Sequence, residues 1–237
     1  MKRERMALVL SAPTSEAELL ARADALAGEP IANVAARVGV EVPPDLSRHK
    51  GWVGNLVERA LGASAGSRPL PDFERIGVEL KTLPVDARGK PFETTFVCSI
   101  SMSELCDVEF SASRAFHKLA RVLWVPVEGD RRLPLARRRF GAALLWSPSD
   151  AEMAALRFDW EELASLVTRH GFESVSGHAG RFLQIRPKAR DASVRRRGLD
   201  LNGALVAELP RGFYLRQCFT AEILRRNFAL GLDVAAR

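Results

Sequence analysis

The chain has 237 residues, 47% of them hydrophobic and 27% charged, a composition typical of a globular protein with one large core or two small lobes. Its apolar runs are too short to cross a bilayer and its first residues lack a signal-peptide core, so we expect a cytoplasmic protein with no membrane contact. Three cysteines without Cys-x-x-Cys spacing argue against disulfides and against a zinc site.

The net charge of +6 is concentrated in the last quarter of the chain. From Arg181 onward there are twelve Lys and Arg against five Asp and Glu, whereas the first 180 residues hold 23 against 24. A local basic surplus is expected of a protein that binds a polyanion. A general preference for arginine explains the surplus equally well, since 29 of the 35 basic residues are Arg.

The apolar periodicity of the first part of the chain predicts three helices followed by strands. In order, the predicted elements are helices from Ser15, over 31–38 and over 51–61, a loop at 62–71, a strand region at 72–84, a turn at 86–89 and a strand at 93–100. We expect the last two strands to form a hairpin around that turn.

The second part continues the mixture of helices and strands. Its predicted elements are a helix at 113–119, strands at 121–127 and 142–146, a long helix from Ser149 to about Arg169, a strand at 181–186, a mobile basic loop at 189–202 and a final helix from Thr220 to about Leu230. Strands and helices without strict alternation predict an α/β fold with a mixed central sheet. No Walker A loop, GxGxxG or GxSxG motif occurs, which argues against nucleotide-driven chemistry and serine hydrolysis.

The segment DFERIGVELK, residues 72–81, is the strongest chemical motif. Apolar and polar residues alternate along its second half, so Glu79 and Lys81 project from one face of a strand and Leu80 from the other. With Asp72 arriving from the preceding segment, these groups can hold a divalent cation and a water beside a phosphodiester. The motif predicts a metal-dependent nuclease; the alternative is a solvated strand face with one ion pair.

Glu58 is a further candidate, near the carboxyl end of the helix predicted over 51–61. A carboxylate there interacts unfavourably with the helix dipole unless a cation compensates it. A functional role and an ordinary surface glutamate beside Arg59 both fit this position.

Ten segments in collinear order carry a resemblance to a known family. They are 50–58, 61–67, Asp72, 77–82, 93–98, 121–129, 145–148, 159–163, 184–189 and 209–215. Together they closely resemble the MutH family of DNA mismatch repair endonucleases. The likeness is weakest in the first dozen residues, at 101–112, at 190–203 and after Leu230.

The resemblance implies a fold, an activity and partners. The expected fold is restriction-endonuclease-like, with a mixed sheet flanked by helices, in one domain of two arms that clamp a DNA groove: a catalytic arm at about 1–110 and a DNA-reading arm at about 111–237. The expected activity is Mg²⁺-dependent nicking of the unmethylated strand of double-stranded DNA at hemimethylated GATC sites. The expected enzyme is a monomer that the mismatch-repair protein MutL activates.

The resemblance also assigns roles to residues. The catalytic set would be Glu58, Asp72, Glu79, Lys81 and Lys118, and its three carboxylates would hold Mg²⁺. The DNA-binding set would be Lys50, Arg186, Pro187, Lys188 and Tyr214, with the tyrosine sensing adenine methylation.

Two alternatives keep parts of this assignment. A GATC-type restriction endonuclease would use the same motif to cut both strands. A DNA-binding module without catalysis is disfavoured by the intact set of Glu58, Asp72, Glu79 and Lys81. Lys81 can serve as the base or, as an ammonium, can orient water and stabilise charge.

Overall fold

The computed structural model describes residues 10–66, 68–188, 193–199 and 203–228. Its helices are α1 Glu16–Asp24, α2 Ile31–Arg37, α3 Trp52–Leu61, α4 Met102–Asp107, α5 Arg114–Leu119, α6 Asp150–His170 and α7 Gln217–Asn227. Its strands are β1 Glu79–Val85, β2 Thr95–Ile100, β3 Val122–Glu128, β4 Leu144–Trp146, β5 Leu183–Pro187, β6 Arg196–Leu199, β7 Leu205–Glu208 and β8 Arg211–Leu215. None of the helices in these ranges is long and apolar enough to span a membrane.

The chain divides into two compact units, each built from separate stretches. Unit 1 contains the described residues of Met1–Phe92, Arg121–Trp146 and Leu224–Arg237, and unit 2 contains those of Glu93–Ala120 and Ser147–Ile223. Both units combine helices with strands, which confirms the predicted mixed α/β class. Each predicted arm, at about 1–110 or 111–237, is one continuous stretch of sequence, whereas each unit combines separate stretches. The clamp formed by two arms stays a prediction.

Unit 1 is organised around a three-stranded mixed sheet in the order β1-β3-β4. β1 runs parallel to β3, and β4 runs antiparallel to it. Leu80 of β1 and Leu123 of β3 are partners in register and are almost completely buried, in a core that also contains Val57 of α3. The core therefore covers one face of β1, and the side chains on either side of Leu80 point to the other face.

Unit 2 contains an antiparallel sheet in the order β2-β8-β5 and a separate hairpin of β6 and β7. The hairpin corrects the prediction of a mobile loop over 189–202, of which 189–192 and 200–202 lie outside the described residues. The guanidinium of Arg196 binds both Glu208, its cross-strand partner, and the carbonyl of Ile100. A pair of opposite charges directly across two strands favours their pairing.

The predicted hairpin of the strands at 72–84 and 93–100 is wrong. The chain does reverse at Asp86, whose carbonyl accepts from Gly89 N–H at 3.0 Å, but the pairing ends with a single bridge between Val85 and Pro91. Pro91 has no amide hydrogen to extend the ladder. β1 pairs with β3 instead, and β2 pairs with β8.

Helix α6 begins where the sequence predicts. Ser149 Oγ accepts from Glu152 N–H at 3.3 Å, and the Glu152 carboxylate accepts from Ser149 N–H at 2.8 Å. This reciprocal capping box satisfies two groups that a helix start otherwise leaves without partners. The 21-residue helix packs against β5 and supports the sheet of unit 2.

We predict that Ser149→Ala lowers the free energy of unfolding by about 1 kcal/mol, because the cap is lost. Equilibrium urea unfolding measures the change. Ser165→Ala removes the same atom from the middle of α6, where alanine has the higher helix propensity, and should not destabilise. Equal losses in the two variants would contradict the role of the cap.

Candidate functional site

A short hydrogen-bonded loop brings Asp72 back to the start of β1. Phe73 N–H donates to Val78 O at 2.9 Å, and Val78 N–H donates to Phe73 O at 3.3 Å. Both side chains are buried in the core and anchor the loop. Between them a 3-10 turn, Glu74–Ile76, leads to Gly77, whose φ of +66° is readily adopted only by glycine. The six residues between Asp72 and Glu79 are thus folded into one compact turn.

The Asp72 carboxylate lies at the open edge of β1. Its Oδ2 accepts from Leu80 N–H at 2.8 Å. Glu79 N–H donates to Arg121 O on the β3 side, and successive amides of a strand point in opposite directions, so the amide of Leu80 faces away from β3. Asp72 therefore occupies the strand edge beside Glu79.

Glu79 and Lys81 form a buried ion pair on one face of β1. Lys81 Nζ lies 2.5 Å from Glu79 Oε1, and the side chains are 13% and 3% exposed. Leu80 points into the core, as the alternating pattern predicts. A buried carboxylate is costly unless a cation accompanies it, and Lys81 supplies that cation. The alternative of a solvated strand face is wrong, because Glu79 is buried.

Two tryptophans form an apolar wall on the same face of the sheet. Trp124 is the partner of Lys81 in register, and its ring lies 5.9 Å from that of Trp146. Trp124 is fully buried, and its Nε1 has no hydrogen-bond partner in the part of the chain that the structure describes. Such a wall excludes water and strengthens electrostatic interactions of the neighbouring charges. Sequence analysis did not assign these tryptophans to the site, although both lie in segments that carry the resemblance.

Glu58 lies on the side of α3 that faces β1. An ideal Cβ on Gly54 would be 4.0 Å from Thr82 Oγ1, and Glu58, four residues later, shares that side of the helix. The carbonyl of Glu58 accepts from Ala63 N–H at 2.9 Å, and the next residue, Ser64, donates its N–H to Asp72 O at 3.0 Å. The end of α3 is thereby tied to the segment that carries Asp72.

The structure brings two of the three predicted metal ligands, Asp72 and Glu79, close together. No group of three or more His, Cys, Asp or Glu is arranged to hold a metal within the described ranges. The Asp72 carboxylate binds the amide of Leu80, the residue that follows Glu79. Mg²⁺ is commonly held by one or two carboxylates together with waters and substrate phosphate. The oxygen donors of these two residues thus fit Mg²⁺ in type and number, and the role of Glu58 as a ligand stays a prediction.

Unit 2 carries three of the five predicted DNA-binding residues on one face of its antiparallel sheet. Arg186 and Lys188 alternate with buried Ile185 along β5 and its extension. Tyr214 of β8 is the register partner of Gln184 and so lies on the same side of the sheet as Arg186. The structure brings these three together on what we call the reading face: Arg186, Lys188 and Tyr214.

Phe96 of β2 is the centre of the reading face. Lys188 Nζ lies 3.9 Å from its ring centroid, and the Tyr214 ring packs edge-on at 5.3 Å. Gly212 lies beneath the ring, since a Cβ there would be 2.7 Å from the ring edge. Cation–π and edge-on contacts of this kind hold side chains in defined orientations. Neither Phe96 nor Gly212 was predicted as a functional residue from the sequence. Phe96 comes close to the others only through strand pairing, whereas Gly212 lies two residues before Tyr214 on β8.

Polar contacts hold the two basic side chains. Arg186 Nη1 donates to Thr94 Oγ1 at 3.1 Å, and Lys188 Nζ donates to Ser99 Oγ at 3.2 Å. Burial raises the pKa of the Tyr214 hydroxyl above its usual value of 10, and the charge of Arg186 opposes that effect. The phenol therefore stays protonated at neutral pH and can donate a hydrogen bond.

Three predicted residues remain, namely Lys118, Lys50 and Pro187. Lys118 is half-buried on α5 in unit 2, whereas the other predicted catalytic residues belong to unit 1. Lys50 is exposed two residues before α3. Pro187 is exposed at the end of β5, opposite Arg211 in register. Their predicted roles in catalysis and DNA binding stay predictions.

Comparison with known proteins identifies relatives over nearly the whole chain. The family model described as "DNA mismatch repair enzyme MutH" matches residues 61–159. A DNA mismatch repair protein MutH of Klebsiella pneumoniae subsp. pneumoniae is 48% identical over 228 residues, which cover 96% of this chain and 99% of the relative. Proteins of the same name from Yersinia enterocolitica and Citrobacter koseri are 49% and 50% identical, covering 92% and 94% of this chain and 96% of each relative.

These identities extend well beyond the ten-residue motif. The aligned residues cover more than nine-tenths of the chain. The resemblance found in the sequence is therefore confirmed. The chain belongs to the MutH family of DNA mismatch repair enzymes.

Proposed function

We propose that this protein is a Mg²⁺-dependent endonuclease that nicks the unmethylated DNA strand at hemimethylated GATC sites. The observation that carries the proposal is the arrangement on β1, where Asp72 binds the amide of Leu80 and Glu79 pairs with Lys81. A carboxylate and an amine on one strand, with a second carboxylate at its edge, are groups that can support metal-dependent phosphodiester hydrolysis. Family membership supplies the context of mismatch repair.

The metal would be held by Asp72 and Glu79, with Glu58 as the further proposed ligand. Mg²⁺ supplies Lewis acidity and charge neutralisation at the scissile phosphate. The hydrogen bond from Leu80 N–H keeps the Asp72 carboxylate at the strand edge, and burial restricts the rotamers of Glu79. The chain thus orients both donors in advance, so little reorganisation is needed at the moment of reaction.

Lys81 would act on the water and on the developing charge. Its ammonium is fixed by Glu79 and is largely shielded from solvent. In that position it can orient an attacking water and stabilise negative charge on the phosphorane and on the leaving 3′ oxygen. Lys118 would contribute a second positive charge. The wall of Trp124 and Trp146 beside Lys81 would make the interactions of Lys81 stronger than they would be in water.

The reading face would recognise the bases. Arg186 and Lys188 carry the donors that suit the N7 and O6 acceptors of guanine, and each good pair discriminates by about 1–3 kcal/mol. The Tyr214 ring is suited to sense an adenine methyl group. Pro187 and Lys50 would contact the DNA beside these groups. A local basic surplus in this part of the chain favours the approach of DNA.

Among the described residues we assign one catalytic set, which is compatible with a monomer that nicks one strand and with a restriction endonuclease that pairs two sites; the likeness to MutH along nearly the whole chain favours nicking. We extend the proposal to activation by MutL, the partner that the family resemblance implies. Activation of this kind would couple nicking to a recognised mismatch, since the set on β1 contains no group that detects one.

The proposal is tested with supercoiled plasmids. Plasmids with or without GATC, in each methylation state, are incubated with the protein in Mg²⁺ or in EDTA. We expect open circles only from GATC plasmids that have an unmethylated strand, and only with Mg²⁺. Linear products from the start would indicate a restriction endonuclease, and binding without cleavage would indicate a non-catalytic module.

We predict that Glu79→Ala abolishes nicking, while binding of GATC duplexes remains largely intact. The substitution removes a proposed metal ligand and lessens the negative charge that faces phosphate. Plasmid nicking and gel-shift titration measure the two effects. Glu74→Ala is the matched control, because Glu74 lies in the same segment but pairs with Arg68. Undiminished cleavage by Glu79→Ala would overturn the site assignment.

We predict that Tyr214→Ala reduces the ratio between nicking rates of unmethylated and methylated strands. The ring that packs on Phe96 is lost, and with it the proposed contact with the adenine methyl group. Single-turnover nicking of hemimethylated duplexes labelled on either strand gives the ratio. Tyr214→Phe keeps the ring and isolates the contribution of the hydroxyl. A ratio unchanged in Tyr214→Ala would show that the residue does not sense methylation.

A further inference from the structure

A tight turn before β5 is held by a buried carboxylate. Asp159 of α6 is 1% exposed, and its two oxygens accept three consecutive backbone N–H groups. Oδ1 accepts from Arg181 N–H at 2.8 Å, and Oδ2 accepts from Phe182 N–H at 2.6 Å and from Leu183 N–H at 2.8 Å. Hydrogen bonds from backbone amides to an ionised carboxylate are stronger than bonds between neutral groups. Asp159 therefore fixes the point at which β5 begins.

The guanidinium of Arg216 binds the backbone carbonyls of the same turn. Arg216 Nε donates to Gly180 O at 3.0 Å, and Nη2 donates to Gly177 O at 2.9 Å and Ala179 O at 3.0 Å. The rigid fork of arginine suits several acceptors at once. The negative side chain of Asp159 thus binds the N–H groups of this turn, and the positive side chain of Arg216 binds its carbonyls. We call this pair, Asp159 and Arg216, the clasp.

The turn also requires a glycine at position 180. Gly180 has a φ of +75°, and a Cβ there would lie 1.9 Å from Leu183 O. Any other residue would clash with the Leu183 carbonyl at this point. Because glycine itself is conformationally permissive, the hydrogen bonds of the clasp are needed to hold the turn in this conformation.

The clasp also links β5 to β8. Arg216 follows the last residue of β8, and its N–H donates to Phe182 O at 2.7 Å, next to the register pair Leu183 and Leu215. A slip of one residue in this register would move Arg186 to the other face of the sheet. The position of Arg186 relative to Tyr214 thus depends on where β5 begins, which the clasp fixes.

We propose that Asp159 and Arg216 are positioning residues for DNA recognition, acting through the register of β5 against β8. This inference rests on the proposed function, because it concerns how the reading face is held. Neither residue belongs to the reading face. Their effect is on the alignment of Arg186 and Lys188 with Tyr214, and hence on the discrimination between DNA sites.

The test compares specific and nonspecific binding without divalent metal, so that catalysis has no influence. Dissociation constants for a GATC duplex and a scrambled duplex are measured for wild type, Asp159→Asn and Arg216→Gln. We expect the ratio of the two constants to fall about tenfold in each variant, the size of one lost base contact. Val167→Ala, a cavity substitution at a fully buried position of α6, is the control for lost stability and should keep the wild-type ratio.

A second measurement reports on the turn itself. Hydrogen exchange at the amides of Arg181, Phe182 and Leu183 should accelerate in Asp159→Asn relative to Val167→Ala, because the neutral carboxamide keeps one acceptor oxygen where the carboxylate has two. If Asp159→Asn does not fold, Arg216→Gln decides the question alone.

The outcomes separate the two proposals. Variants that bind with the wild-type ratio, and differ from it only in stability, would overturn the positioning role and leave the proposed function intact. A wild-type protein without preference for GATC would overturn the proposed function and the positioning role with it.

Discussion

The burial of the Glu79 carboxylate is the constraint on which the catalytic arrangement depends. An ionised group that is 3% exposed requires a compensating cation, and Lys81 provides it from the same strand face. The pairing of β1 with β3 keeps both side chains on that face, opposite the core that holds Leu80. Removing either partner of a buried pair costs about 3–5 kcal/mol. The site is therefore part of the stability of unit 1, and a bound metal would act on charges already in place.

The reading face of unit 2 is organised by a different interaction. Its cations and its tyrosine are ordered by the Phe96 ring, which lies on the surface that Gly212 leaves open. The clasp at the start of β5 fixes the strand that carries Arg186. Catalytic carboxylates and DNA-reading cations thus belong to different units, which agrees with the uneven distribution of charge along the sequence.

Local sequence patterns predicted the features that depend on residues close together in the chain. The alternation around Leu80 predicted the face shared by Glu79 and Lys81, and the helical pattern from Ser149 predicted the start of α6. The pairing of β1 with β3 was missed, since strands distant in sequence carry no local mark of their partner. Phe96 was missed for the same reason, because its contacts with the reading face arise only when β2 and β5 both pair with β8.

The central claim is that Asp72 and Glu79 hold the catalytic metal, and Mn²⁺ binding followed by electron paramagnetic resonance tests it most directly. Asp72→Asn keeps an acceptor for Leu80 N–H but loses the charge, so it tests metal binding with the turn retained. With an uncleavable GATC duplex present, wild type should bind Mn²⁺ and Asp72→Asn should bind it at least about tenfold more weakly, as expected when a carboxylate ligand is lost. Equal affinity in the two proteins would contradict the account.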